Sequence, residues 1–173
     1  MDDPILFSEK QRFNQWWIVM ILVTINIFII SVFFVQVAGN TFSVPQPTSL
    51  LKLAFGCTVS LIVTGFVFYI RLETFIKYDG IYVRFFPLQS SYRHFKWNQI
   101  KQYYVRTYKP ISEYGGWGLR WGFFGQGNAY NVTGNKGLQL EFTNGKKLLI
   151  GTQKPEELKS ALHQIKGLPQ RAV

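Results

Sequence analysis

Leu72-Glu73-Thr74-Phe75-Ile76-Lys77-Tyr78-Asp79-Gly80-Ile81-Tyr82-Val83-Arg84-Phe85-Phe86 is the stretch where the chain changes its period. Before it the apolar residues run on without alternation. Within it β-branched and aromatic residues gather in two short runs on either side of Asp79-Gly80. That dipeptide is a two-residue turn signal of the kind twisted strands prefer, so the stretch predicts a β-hairpin of 72–78 and 81–86.

Toward the C-terminus the strand signals continue, at 92–97, 101–108, 128–132, 138–142 and 147–150, the last two joined around Asn144-Gly145. Lys154-Pro155-Glu156-Glu157 then opens a helix, with proline and acids where a first turn accepts them. Leu158, Ala161, Leu162 and Ile165 fall on one face of it, and Gly167 and Pro169 are its stop signals. Short antiparallel strands closed by one amphipathic helix predict a pleckstrin-homology-like β-barrel with a C-terminal capping helix over 71–173.

Toward the N-terminus the signal is membrane. Residues 16–37 form an uncharged run of 22, opened by Trp16 and Trp17. About 20 apolar residues suffice to cross the hydrocarbon, and indoles favour its interface. Residues 50–70 form a second run whose one charge is Lys52. Gly56, Ser60 and Thr64 recur every four residues on it as a small-residue face, and Asn26 on the first run can hydrogen-bond across. The expected plan is a polar segment 1–15, a first transmembrane helix 16–37, a connector 38–49 and a second helix 50–70. Lys10 and Arg12 precede the first helix, and Arg71 and Lys77 follow the second. The positive-inside rule then puts both termini in the cytoplasm and the Pro-rich connector outside.

The net charge of +10 lies in one place. Residues 1–70 carry three bases and three acids, whereas residues 71–173 carry 16 Lys or Arg against six Asp or Glu. Such a surface attracts nucleic acid or anionic lipid. With an anchor already in the chain, lipid is the more economical partner and nucleic acid the poorer one. The expected lipid-surface contacts are Arg71, Lys77, Arg84, Arg93 and Lys96. The small-residue helix face also leaves room for an oligomer through the transmembrane helices.

The most specified stretch is Tyr108-Lys109-Pro110-Ile111-Ser112-Glu113-Tyr114-Gly115-Gly116-Trp117-Gly118-Leu119-Arg120-Trp121-Gly122. Alternating glycines and aromatics permit bulges and close packing, so Tyr114, Trp117 and Trp121 can fill a core, with Glu113 and Arg120 paired at its rim. Yet glycine, indole, one acid and one arginine also suit a recognition surface for a protein partner or small ligand. Tyr130 and Asn131 are expected alongside. These seven residues, Glu113, Tyr114, Trp117, Arg120, Trp121, Tyr130 and Asn131, are the candidate binding site.

Catalysis has thin support. No nucleophile elbow, phosphate loop or zinc motif occurs, and a lipid- or phosphate-directed enzyme would have to use Glu113 and Arg120 without a companion nucleophile. His94 and His163 lie far apart and Cys57 is alone in an apolar run, so no metal and no cofactor is expected.

The hairpin ending Asp79-Gly80-Ile81-Tyr82, the Phe86-Pro87 step, Trp97-x-x-Ile100 and the Glu113-Tyr114-Gly115-Gly116-Trp117-Gly118 block follow two membrane runs. With Ala129-Tyr130-Asn131-Val132 and Leu149-Ile150-Gly151-Thr152-Gln153, this arrangement resembles a family of small uncharacterised bacterial membrane proteins with a PH-like domain. The resemblance covers the chain from Trp16 to Leu158 and implies fold and location, not chemistry. A phosphoinositide site of the best-known PH kind is not expected, because Asp79-Gly80 leaves no basic loop between the first two strands. The expected function is a non-enzymatic, membrane-proximal binding or scaffolding module. The alternatives are the enzyme above and a structural subunit of a membrane complex.

Overall fold

The computed structural model describes residues 4–13, 15–39, 47–121 and 125–166. They form an α+β chain in two compact units, one of residues 13–69 and the other of residues 1–12 and 70–173.

The first unit is a pair of helices, α1 (Trp16–Gly39) and α2 (Pro47–Tyr69). Both are long and apolar enough to cross a membrane, and none of their described side chains is buried by protein. The polar contacts between them centre on Asn26. Its Nδ2 donates to Leu22 O (2.7 Å) and Thr64 Oγ1 (2.8 Å), while Ser60 Oγ donates to its Oδ1 (3.1 Å). Of the expected small-residue face, Ser60 and Thr64 are therefore used within the pair. Gly56 is not part of that contact, since a Cβ built there would meet nothing within 4 Å. Exchanging Asn26 for leucine removes both interhelical bonds and is expected to weaken the pair by about 0.6–2 kcal/mol. Unfolding of the full chain by graded SDS in mixed micelles reads this out, and an unshifted curve refutes it.

The second unit holds nine strands and three helical segments among the described residues. One sheet has the order β1-β2-β3-β4, with β1 (Ile5–Arg12), β2 (Arg71–Lys77), β3 (Gly80–Phe86) and β4 (Arg93–Lys96). The other has the order β5-β8-β9-β7-β6, with β5 (Ile100–Thr107), β6 (Gly118–Arg120), β7 (Asn128–Asn131), β8 (Lys136–Phe142) and β9 (Lys147–Gly151). A 3₁₀ turn at Trp97–Gln99 carries the chain between the sheets. The helices are α3 (Pro110–Tyr114) and α4 (Pro155–Lys166).

Three sequence expectations change. First, the expected polar segment 1–15 contains a strand at residues 5–12. They are the edge strand β1, antiparallel to β2 with Lys10 opposite Glu73 and Arg12 opposite Arg71. The strand was hidden because its inward positions are Phe7, Glu9 and Gln11, two of them polar. Those groups are satisfied inside: Glu9 accepts from the Thr152 hydroxyl and the Gln153 amide (both 2.7 Å), and Gln11 Nε2 donates to Gly151 O (2.7 Å). Polar inward residues with specific partners leave no alternation of hydrophobicity to read.

Second, the described strands make two open sheets, not a closed antiparallel barrel. Both edges of β8 are taken by β5 and β9, so β7 pairs with the far edge of β9 and runs parallel to it. At the other end β1 occupies the free edge of β2.

Third, the first hairpin turns one residue earlier than expected. Lys77 pairs with Gly80, which leaves Tyr78-Asp79 at the bend. Gly80 lies inside β3, and its role is to admit β4: a Cβ there would sit 2.5 Å from Phe95 O.

The second hairpin turns at Asn144-Gly145 as the dipeptide predicts, with Gly145 in the left-handed region (φ 79) and Phe142 N donating to Lys146 O (2.9 Å). The core joins Leu72, Ile76, Ile81, Val83 and Phe85 of one sheet to Leu138, Leu140, Leu149 and Ile150 of the other. Leu158, Ala161 and Leu162 of α4 are buried with them, as the apolar face of that helix requires. Each such side chain contributes about 1.5–3 kcal/mol on burial. The Gly167 cap lies outside the described residues.

Candidate functional site

The glycine-aromatic stretch begins as a helical turn. Pro110 sits at the start of α3, where its missing N–H costs nothing, and Gly115 closes it in the left-handed region (φ 71). Gly115 and Gly116 return their N–H groups to Ile111 O and Pro110 O, both at 2.9 Å. The chain then continues as β6, the edge of the five-stranded sheet. A bulge was expected here; a capped turn plus a short strand is what the glycines permit. Gly122, the end of the stretch, lies outside the described residues.

Glu113 does not pair with Arg120. One carboxylate oxygen accepts from Arg106 Nη2 (2.7 Å) and the other from the Lys109 amide (2.7 Å). Burial would raise this carboxyl, but the Arg106 guanidinium and the Lys109 N–H hold it below the ordinary range. Arg106 also binds Gln139 Oε1 (3.0 Å) and the Tyr114 hydroxyl (3.1 Å). Arg120, exposed on the edge strand, turns back and donates from Nε to Trp117 O (3.0 Å). The physical reason is position: Arg106 on β5 faces α3, whereas Arg120 leaves in β6.

The three large aromatics separate. Tyr114 is buried and meets Tyr108 edge-on at 5.9 Å, in one cluster with Ala129 and Leu149. Trp117 is half-buried and donates Nε1–H to Gly134 O (3.0 Å). Trp121 is 69% exposed, and Ile111 on α3 is 70% exposed. The segment is thus core at Tyr114 and surface at Ile111 and Trp121.

Tyr130 and Asn131 also part company. Asn131 is buried, and its Oδ1 accepts from Gly118 N (2.9 Å), which ties β7 to the stretch. Burial pushes the neighbouring Tyr108 hydroxyl up to about 12. Tyr130 points to the other sheet, where its hydroxyl accepts from Arg93 Nη1 (2.8 Å) and Gln89 Nε2 (3.2 Å) and its ring meets Phe85 at 6.5 Å.

The bases expected on a lipid surface are not equivalent. Glu73, buried on the outer face of β2, gathers several of them. Its carboxylate lies 2.8 Å from Arg71 Nε, 2.5 Å from Arg84 Nη2 and 3.7 Å from Lys10 Nζ, and accepts from the Tyr92 hydroxyl (2.6 Å). Arg71 also lies over the Phe86 ring (4.3 Å) and Arg84 over Tyr92 (4.2 Å). Lys77 stands over Tyr82 at 5.6 Å, and Arg93 is bound to Tyr130. Lys96 is exposed, as is Arg12, which carries no ion pair among the described residues.

Arg106, Gln139, Tyr92, Lys10 and Arg12 were not among the expected site residues, Lys10 and Arg12 having been read for topology alone. Arg106 and Lys10 read as ordinary surface bases, and nothing local reveals that a carboxylate from another element meets them. Among the described residues no cluster of three or more His, Cys, Asp or Glu side chains stands where a metal could be held. An open groove lined by Tyr103, Tyr104, Val105, Leu162 and His163 lies between β5 and α4, away from the glycine-aromatic stretch. Comparison with known proteins finds no matching family model, no similar curated protein and no similar solved structure.

Proposed function

We propose that the chain is a membrane-anchored, non-enzymatic binding or scaffolding module, held at the bacterial inner membrane by α1 and α2 with both termini in the cytoplasm. The observation that carries this reading is the placement of the helices. They are inserted between β1 and β2, and the residues at which the chain leaves and returns, Arg12 and Arg71, are cross-strand partners. Spanning helices that leave and return at one point of one sheet cross twice, which supports a domain on a single side. The bases at that point favour the cytoplasmic side.

The order of strands and C-terminal helix supports a PH-like relationship, and with it membership of the small bacterial membrane family that the motifs resemble. The surface offered to a protein partner or small ligand is the exposed side of the stretch, with Trp117, Arg120 and Trp121. An enzyme built on Glu113 and Arg120 has less behind it, since Glu113 is engaged by Arg106 and Lys109. The reading expects the chain to stay in the membrane pellet after alkaline carbonate, and a fluorescent protein fused after Val173 to light up in the cytoplasm. An exported phosphatase active at the same position would overturn the topology. Trp121→Ala should abolish cross-links from this surface while leaving the melting temperature unchanged; unchanged cross-linking would remove the binding surface from the proposal.

A further inference from the structure

We infer that Arg12 and Arg71 form a clamp for the phosphate of an anionic phospholipid in the leaflet the helices enter. This rests on the membrane-anchored reading and narrows its lipid contact to one place.

Register puts Arg12 of β1 directly opposite Arg71 of β2, with Lys10 opposite Glu73 and Glu73 opposite Arg84. Cross-strand partners and residues two apart on a strand share a face, so all five lie on the outer face of the four-stranded sheet. Four bases there surround one acid. Glu73 is already shared by Arg71, Arg84 and Lys10, and Arg12 has no ion pair among the described residues. Like charges directly opposite one another weaken an antiparallel pair, and one carboxylate shared by three bases leaves an excess of positive charge on this face that an anion beside Arg12 offsets.

Chain length says where that anion comes from. Arg71 follows Tyr69, the last residue of α2, by two positions, and Arg12 precedes Trp16, the first of α1, by four. At roughly 3.5 Å per extended residue, Arg71 cannot lie more than about 7 Å from the end of α2, nor Arg12 more than about 14 Å from the start of α1. The headgroup layer on each side of the hydrocarbon is itself about 5–8 Å thick. With the helices spanning, the chain tethers both residues close to that layer. Guanidinium binds phosphate oxygens through paired N–H donors, and two of them can clamp one phosphodiester. Arg71 and Arg84 share Glu73 and Arg93 donates to the Tyr130 hydroxyl, which leaves Arg12 as the base of this face without an ion pair among the described residues.

The test is native mass spectrometry of the full chain in detergent, titrated with phosphatidylglycerol, with phosphatidylcholine and with inorganic phosphate. The wild type should retain phosphatidylglycerol in preference to phosphatidylcholine. Arg12→Gln should weaken that retention about fivefold, and Arg12→Gln with Arg71→Gln more strongly still. Lys146→Gln, at the β8–β9 turn, should change nothing. Arg71 also supports Glu73, so the Arg12→Gln single variant guards against a folding defect. Retention unchanged in Arg12→Gln, or no preference for phosphatidylglycerol in the wild type, overturns the clamp. Displacement of the lipid by inorganic phosphate at equal concentration overturns its assignment to lipid. Release of the chain from membranes by carbonate would sink the anchoring reading itself, a separate outcome.

Discussion

Replacing Glu73 by alanine is expected to destabilise the strand unit by about 2–4 kcal/mol. Removing one member of a buried ion pair typically costs about 3–5 kcal/mol, because the remaining charge is left without compensation. The arginines here are partly hydrated, with side chains 21% and 19% exposed for Arg71 and Arg84, which moves the expected cost down by about 1 kcal/mol from that range. The carboxylate also takes the Tyr92 hydroxyl, and so links β2 and β3 to the segment leading into β4. A thermal melt of the full chain in detergent, followed by tryptophan fluorescence, should fall by about 10 °C or more. A shift within about 2 °C would show that the network is a surface ornament.

The same group makes stability depend on pH. Burial raises the Glu73 carboxyl, but the Tyr92 hydroxyl and the Arg84 guanidinium outweigh it and hold it below the ordinary carboxylate range. Glu113 is lowered as well. A carboxyl lowered by folding contributes stability that is present above its unfolded pKa, about 4.3, and lost as the pH falls through its folded value. The wild type should therefore lose stability below about pH 4.5, and the Glu73→Ala variant should lose less over the same interval. Equal acid sensitivity in the two proteins would remove Glu73 from the account.

Gly127→Ala is the second substitution with a large expected effect. The residue has φ 79, and a Cβ built on it would stand 2.4 Å from Lys147 O and 2.5 Å from Lys147 Cβ. The left-handed conformation costs a non-glycine residue about 1–2 kcal/mol. Forcing extra volume against packed backbone adds about 1–3 kcal/mol. Together they predict a loss of about 2–5 kcal/mol, because relief requires pulling β7 from β9 where Asn128 pairs with Leu148. Gly145→Ala is the control. It has the same φ but nothing within 4 Å, so it should lose only the conformational part. Equal melting temperatures for the two variants would show that β7 and β9 do not approach as closely as described.

The sequence alone determined the features that need no distant partner. Long apolar runs, the first uncharged and the second with Lys52 as its one charge, specify α1 and α2, since length and apolarity are local properties. Asn144-Gly145 specifies a turn because of its backbone preferences, and the spacing of Leu158, Ala161 and Leu162 specifies the buried face of α4. Asn26 was legible as interhelical glue because a polar amide in such a run requires a partner. Tertiary structure alone decided what depends on residues far apart. β1 exists as a strand because Glu9 and Gln11 find partners at Gly151, Thr152 and Gln153, some 140 positions away. Glu113 meets Arg106 rather than Arg120, and two open sheets replace a barrel because β1 and β7 take edges that no local pattern assigns. The juxtaposition of Arg12 and Arg71 belongs to the same class. Two bases at opposite ends of a helix pair become neighbours only when the strands that carry them pair.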